Sequence, residues 1–194
     1  MIRTTVTLLL LAGGGLGALA PARTSARASE ARSSQTKATP DSIVTLIIPA
    51  TSPWTDTGVT LATGDAVEIR TWGRVVFDNS AGSTASPKGS GQHGGGCTFV
   101  VTDSKVGAHS VVGNVAPAAS LDGHGFFVGA TWKGRLPIAG TTSPQGRLFL
   151  GFNGNDVLCD RSGYDAWAFG VNHTGWFTAE VSVTRAPAAT PHPG

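Results

Sequence analysis

The chain lacks helical periodicity: no window of its central region repeats apolar residues every 3.6 positions. That argues against helix bundles and doubly wound α/β folds, both of which need amphipathic helices. Charge is also sparse, with 13% Asp, Glu, Lys and Arg. Between residues 42 and 185 nine Lys/Arg stand against ten Asp/Glu, so the formal +2 arises from the five Lys/Arg and two acids that precede this region. No basic stripe is present to follow a phosphate backbone or an anionic membrane, which argues against nucleic acid as a partner. Catalytic signatures are missing too. No C-x-x-C, H-E-x-x-H or G-x-S-x-G occurs. The two glutamates of the central region, Glu68 and Glu180, both lie in strand-like runs, where they do not form the facing acid pair of a glycosidase. The expectation is a protein that binds and does not catalyse.

Residues 1–20 read as a secretory signal peptide, with Arg3 as the positive start, Val6–Leu19 as the apolar stretch and Ala18-Leu19-Ala20 as the cleavage pattern. A membrane anchor competes with this reading, but Gly13, Gly14, Gly15 and Gly17 dilute a run already short for a span. The expectation is therefore a secreted, extracellular protein. Residues 21–41 hold almost no large apolar side chain and read as a disordered linker; residues 186–194 read as a Pro/Ala tail. Residues 42–185 suit a single domain. In an exported chain the two cysteines, Cys97 and Cys159, are most simply one disulfide, with two buried thiols as the alternative.

What the central region has in quantity is short β-branched and aromatic runs. "SIVTLIIP", "GVTL", "AVEIRTWGRVVF", "CTFVVT", "HSVVGNV", "GFFVGATW", "GRLPIAG", "RLFLGF" and "WFTAEVSVTR" follow one another, separated by Gly, Pro, Asp and Ser. In the last, Thr178, Glu180, Ser182 and Thr184 interleave with Ala179, Val181 and Val183, the period of a half-buried strand. "TLATGDAVEIR" reads as strand, Gly-Asp turn, strand. The pattern predicts an all-β, antiparallel β-sandwich or jelly-roll-like single domain.

Two connections are long and polar. Asp78 to Gly96 is a 19-residue loop with six glycines, and loops of that length in compact domains are functional or disordered. The stretch "FNGNDVLCDRSGYDAWAFGVNHTGWF", Phe152 to Phe177, gathers Asp156, Asp160, Asp165, Asn172 and His173. Carboxylates and amide oxygens are the ligand class that Ca²⁺ takes, whereas the imidazole of His173 prefers transition metals. The competing reading makes Asp160, Ser162 and Asp165 ordinary turn formers. "NHT" at Asn172–Thr174 also matches the N-glycosylation acceptor. Of the histidines, His109 and His124 adjoin apolar runs and read as structural, while His93 lies in the glycine loop with reason to meet a ligand. The tryptophans read as core, except Trp167, which is placed to stack on a sugar.

The order "PWTDTGVTLATGDAVEIRTWGRVVF", "PKGSGQH", "AHSVVGNV", "FFVG", "GRLFLGFNGND" and "NHTGWFTAEVSV" resembles the calcium-dependent galactophilic lectins of the LecA (PA-I) type, small β-sandwich proteins of bacteria. The resemblance spans about residues 44–184. It implies a Ca²⁺ ion bridging protein and a galactose-like sugar. The carboxylate ligand falls on Asp156, an amide ligand on Asn172, and carbonyl ligands near Phe77 and Phe169. His173 stands where a second Asn or Asp ligand is expected. His93 falls on the position that reaches the sugar's primary hydroxyl, and Asp156, Val157 and Asn172 border the sugar. Gly96 replaces an expected glutamine, and the segment between Asp156 and Asn172 is longer, bringing Cys159, Asp160 and Asp165. The implied single-site affinity is weak, so a homo-oligomer would supply avidity. The alternative function is a secreted sandwich that kept this scaffold, lost metal and sugar, and serves a structural or protein-interaction role.

Overall fold

A computed structural model describes residues 39–78, 82–96, 98–155 and 172–187. The proposed signal peptide, linker and tail, together with Cys97, Asp156, Val157, Cys159, Trp167 and Phe169, lie outside the described residues, apart from a few linker and tail positions at the boundaries. Among the described residues the secondary structure is all β, in two antiparallel sheets.

The first sheet runs β1 (Ser42–Pro49), β9 (Thr174–Thr184), β3 (Ala66–Val76), and then β4 (Thr84–Ala85). β7 (Thr131–Arg135) shares the far edge of β3, pairing with Ala66–Arg70 while β4 pairs with Val75 and Val76. The second sheet runs β2 (Thr55–Leu61), β8 (Gly146–Phe152), β5 (Val111–Ala116) and β6 (Phe126–Phe127). Alternation decides the layering. In β9, Phe177, Ala179, Val181 and Val183 are fully buried against the second sheet, while the intervening residues face outward. Leu148, Leu150 and Phe152 of β8 and Val111, Val112 and Val115 of β5 supply the opposite wall of the core.

The turn after β2 does not make a hairpin. β2 pairs with β8 and β3 with β9, so the Gly-Asp turn carries the chain from one layer to the other. Gly64 takes φ +92° there, a region open to glycine at no steric cost, and buried Asp65 accepts the Ala62 amide at 2.9 Å.

Two predicted strands are not strands of their own. "GRLPIAG" supplies only Gly134 and Arg135, the end of β7, before the chain turns. "CTFVVT" buries Val100 and Val101 completely but enters no ladder. The Val100 amide donates to the Gly154 carbonyl at 3.3 Å and the Val101 amide to Asn153 Oδ1 at 3.0 Å. The segment has the composition of a strand, yet its hydrogen bonds go to the end of β8 and, through Thr102, to the Gly123 and Gly96 loops, and form no ladder.

The segment leading into β2 approaches β8 closely at Gly151. A methyl group there would drive into the Pro53 carbonyl oxygen and the Trp54 ring. Gly151→Ala is expected to cost about 2–3 kcal/mol through overpacking, read as a lowered Tm in thermal denaturation; an unchanged Tm would mean that the Pro53 segment yields freely.

Candidate functional site

Four chain segments meet at one pole of the sandwich. β3 ends there, β8 ends there, and β5 and β9 begin there, as their registers require. The pole holds a pocket of about 320 Å³ lined by Phe77, Asp78, Gln92, His109, Asn155, Asn172 and His173. Phe77 and Asp78 leave β3, Asn155 leaves β8, His109 precedes β5, and Asn172–His173 lead into β9.

His109 adopts φ +60°, a conformation uncommon outside glycine. Several contacts hold it there. Its ring stacks on Phe77 with centroids 3.8 Å apart and planes 10° from parallel. Its amide donates to the Asn153 carbonyl at 3.0 Å, and its Nδ1 lies 3.0 Å from Ser90 Oγ. Asn153 is the fixed point beneath it. Fully buried, it accepts from the Val101 amide, donates Nδ2–H to the Gly107 carbonyl at 3.1 Å, and donates its own amide to Ser110 at 2.9 Å. Side chain and backbone of this one residue therefore tie the 98–110 segment to the end of β8 at Val101, Gly107, His109 and Ser110.

His173 is likewise buried. It meets Phe152 edge-on at 5.0 Å and His109 edge-on at 6.4 Å. Its Nδ1 lies 3.3 Å from the Ala50 carbonyl. A carbonyl only accepts, so Nδ1 carries the proton of this contact, and in the neutral ring the lone pair is on Nε2.

The structure brings together some of the sequence-predicted residues. Phe77, Asn172 and His173 share the pocket. His93 is exposed in the glycine loop, where it forms an isolated bridge with Gly107, and its neighbour Gln92 lines the pocket instead. Asp156, Val157 and Phe169 lie outside the described residues, although Asp156 directly follows the pocket residue Asn155. No site role is expected from the sequence for Asp78, Gln92, His109 or Asn155, and His109 reads there as structural. The usable signal for Asn155 and Asp78 was their place at strand ends beside long loops; nothing comparable marked His109, whose backbone conformation is invisible in sequence.

The tryptophans are not all core, as the sequence led one to expect. Trp54 is buried, with its Nε1–H donating to the Ser120 carbonyl at 2.7 Å, but Trp72 and Trp176 are about half exposed on the outer face of the first sheet. Among the described residues no three His, Cys, Asp or Glu side chains converge as a metal cluster, and no helix is long and apolar enough to cross a membrane.

The donor chemistry of the lining is mainly oxygen: the Asp78 carboxylate and the amides of Gln92, Asn155 and Asn172. Such a set fits a hard cation such as Ca²⁺ on its oxygen side. The two imidazoles do not fit that class, and both rings are engaged in packing contacts. The Ser90–His109 pair does not read as a nucleophile and its base. Ser90 does not line the pocket, and its backbone and hydroxyl both lie against the Ala108 carbonyl.

No protein-family model matches the chain. No curated protein matches it either. Among solved structures, it is similar to one described as the EclA N-terminal domain, a PllA-like lectin, at 18% identity and a TM-score of 0.46, covering 73% of this chain and 96% of that one.

Proposed function

We propose that the pole pocket binds a carbohydrate through a Ca²⁺ ion, in a secreted protein that is a lectin and not an enzyme. The observation that carries this reading is the lining itself: one aspartate and three amide-bearing residues, Asp78, Gln92, Asn155 and Asn172, border one pocket beside a near-parallel Phe77–His109 stack. The sequence resemblance supplies the remaining residues. Asp156 and Asn172, with carbonyls near Phe77 and Phe169, would hold the ion, and Val157 and His93 would border a galactose-like sugar. The ion's contribution is Lewis-acidic coordination of two neighbouring sugar hydroxyls in place of water. The protein's own groups then orient the ring: amides donate and accept in fixed directions, and the pocket's polar wall discriminates epimers by which hydroxyl finds a partner.

Calorimetry with Ca²⁺ and then galactose tests the two steps separately. Ca²⁺ is expected to release or absorb heat and to raise Tm, because a ligand bound only by the folded state stabilises it, by about 2.7 kcal/mol at a hundredfold excess over Kd. Asp156→Ala is expected to abolish both responses. His93→Ala should spare the metal response and weaken only the sugar. Ca²⁺ binding without any monosaccharide response would make the ion structural and end the lectin reading.

A second reading is favoured by one observation: buried His173 occupies a position where the resemblance expects an oxygen ligand. On that reading the sandwich has lost metal and sugar and serves protein interaction. An absence of heat with millimolar Ca²⁺ decides for it.

A further inference from the structure

We infer that β1 is a dimerisation edge: two copies of this chain pair their β1 strands antiparallel about a two-fold axis at Thr45, joining their first sheets into one.

β1 stands at the end of its sheet and, among the described residues, pairs only with β9. Exposed edges are ordinarily blunted by charge, bulges or proline. Ser42–Pro49 pairs with β9 in unbroken register, contains no charged residue, and carries proline only at its last position. Which backbone groups face outward follows from the β1–β9 register. The Ala50 amide donates to the directly opposed Gly175 carbonyl at 3.2 Å, so even-numbered residues turn N–H and C=O toward β9. Ile43, Thr45 and Ile47 turn theirs outward. Pro49 shares that phase, so its missing N–H costs the β9 ladder nothing.

The strand is self-complementary about Thr45. In an antiparallel pair centred there, Thr45 opposes Thr45 of the second copy, Ile43 opposes Ile47, and Val44 opposes Leu46. This is the reciprocal pattern of an isologous two-fold contact. Both faces gain burial. Ile43 and Ile47 are 60% and 55% exposed on the outer face, and Val44 and Leu46 are only partly buried at the open edge of the core. The apolar stripe continues inward along the same face, through Trp176, aligned with Pro49, and Trp72, in one row with Thr178 and Ile47. Like charges do not meet at the axis. Glu180, the acid aligned with Thr45, sits one strand in and is opposed by Arg70 on β3.

One eight-residue strand with two exposed isoleucines per copy makes a small interface, so the association is expected to be weak and concentration-dependent. The axis also fixes what the dimer presents. The pocket lies beyond the Pro49 end of β1, so the two pockets point away from each other from opposite ends of the joined sheet. Such a dimer would bridge two separate ligand-bearing surfaces and would not grip one. The pairing itself does not depend on what the pocket binds.

Sedimentation velocity of the full chain between about 5 and about 200 µM tests the pairing. The wild type is expected to shift from monomer to dimer over that range. Ile43→Lys with Ile47→Lys places like charges opposite one another and should leave only monomer. Ile43→Lys with Ile47→Glu places opposite charges across the axis and should restore the dimer. The two positions are four residues apart on one strand, too far to pair within a single copy. Circular dichroism checks that each variant is folded. Hydrogen exchange on the wild type, with the Ile43, Thr45 and Ile47 amides gaining protection as concentration rises, tests the same register without substitution. A monomeric wild type at the highest concentration, a dimer indifferent to the two lysines, or amides at 43, 45 and 47 unprotected in the dimer would each overturn the inference.

Discussion

Asp65→Ala is expected to lower stability by about 3 kcal/mol, because one buried carboxylate accepts three part-buried hydrogen bonds at once, each worth on the order of 1 kcal/mol. Asp65 is 2% exposed. Its carboxylate accepts the Ala62 amide at 2.9 Å, the Ala186 amide at 3.0 Å and the Arg185 guanidinium at 2.7 Å. Arg185 also donates to the Thr60 carbonyl at 2.7 Å, and its amide donates to Asp41 at 2.6 Å. The cluster therefore locks the turn that crosses between the layers to the segment leaving β9. For a domain of this size the loss corresponds to a Tm fall of roughly 6–12 °C.

The pH dependence carries a sign. Burial pushes the Asp65 carboxyl up, but the two amides and Arg185 outweigh it and hold the group below its ordinary 3.8. A carboxyl depressed in the folded state stabilises above its unfolded pKa, and that contribution fades as pH falls through the folded value. The gap between wild type and Asp65→Ala should thus be full near neutrality and narrow below about pH 4. A gap unchanged down to pH 2 would show that the charge is irrelevant and that only packing is lost.

Asn153→Ala is the second large expected effect, about 3 kcal/mol, because it leaves the buried Val101 amide without its acceptor, takes one of two donors from the Gly107 carbonyl, which keeps only Ser110 Oγ, and opens a cavity where a fully buried side chain stood. Its consequences are predicted to be local as well as global. The 98–110 segment, which carries His109, should lose hydrogen-exchange protection before the β3–β9 pairing does. Ligand response at the pocket should weaken although no pocket residue has been altered. Asn153→Asp is the discriminating control: the carboxylate keeps the acceptor for Val101 but sets a negative charge against the Gly107 carbonyl. That variant is expected to be less stable at neutral pH and to recover as acidification protonates the buried group. Equal loss of protection across all strands in Asn153→Ala would reduce the residue to a general core contributor.

The fold was legible where a strand has one wet face. β1 coincides with the run "SIVTLIIP", and the alternation in β9 reports its burial residue by residue. β5 shows the limit of that signal, since all six of its residues are buried and no period-2 contrast survives. Val100 and Val101 look like strand because burial selects the same side chains whether or not a ladder forms. The site was legible only as a class, oxygen ligands near long loops. Asn153 and Asn155 sit in one short "FNGND" stretch, yet the first points into the protein to brace the 98–110 segment and the second borders the pocket. Their roles depend on partners about fifty residues away at Val101 and Gly107, and pairwise docking of that kind leaves no trace in local sequence. His109 was read as structural, and it is, through Phe77 and Ser90; that same packing makes it a wall of the pocket.

The pairing of Ser42 with Val183 has a practical consequence for attachment. Both ends of the folded region emerge side by side at the pole farthest from Phe77, Asn155 and Asn172. The eight residues of β1 separate the two poles by about 25 Å at a strand's rise per residue. A fluorophore, fusion partner or solid support joined at either end would therefore leave the pocket mouth unobstructed. Linking the two ends directly and reopening the chain in an exposed loop should preserve the sandwich, a rearrangement that few sheet proteins with distant ends would tolerate.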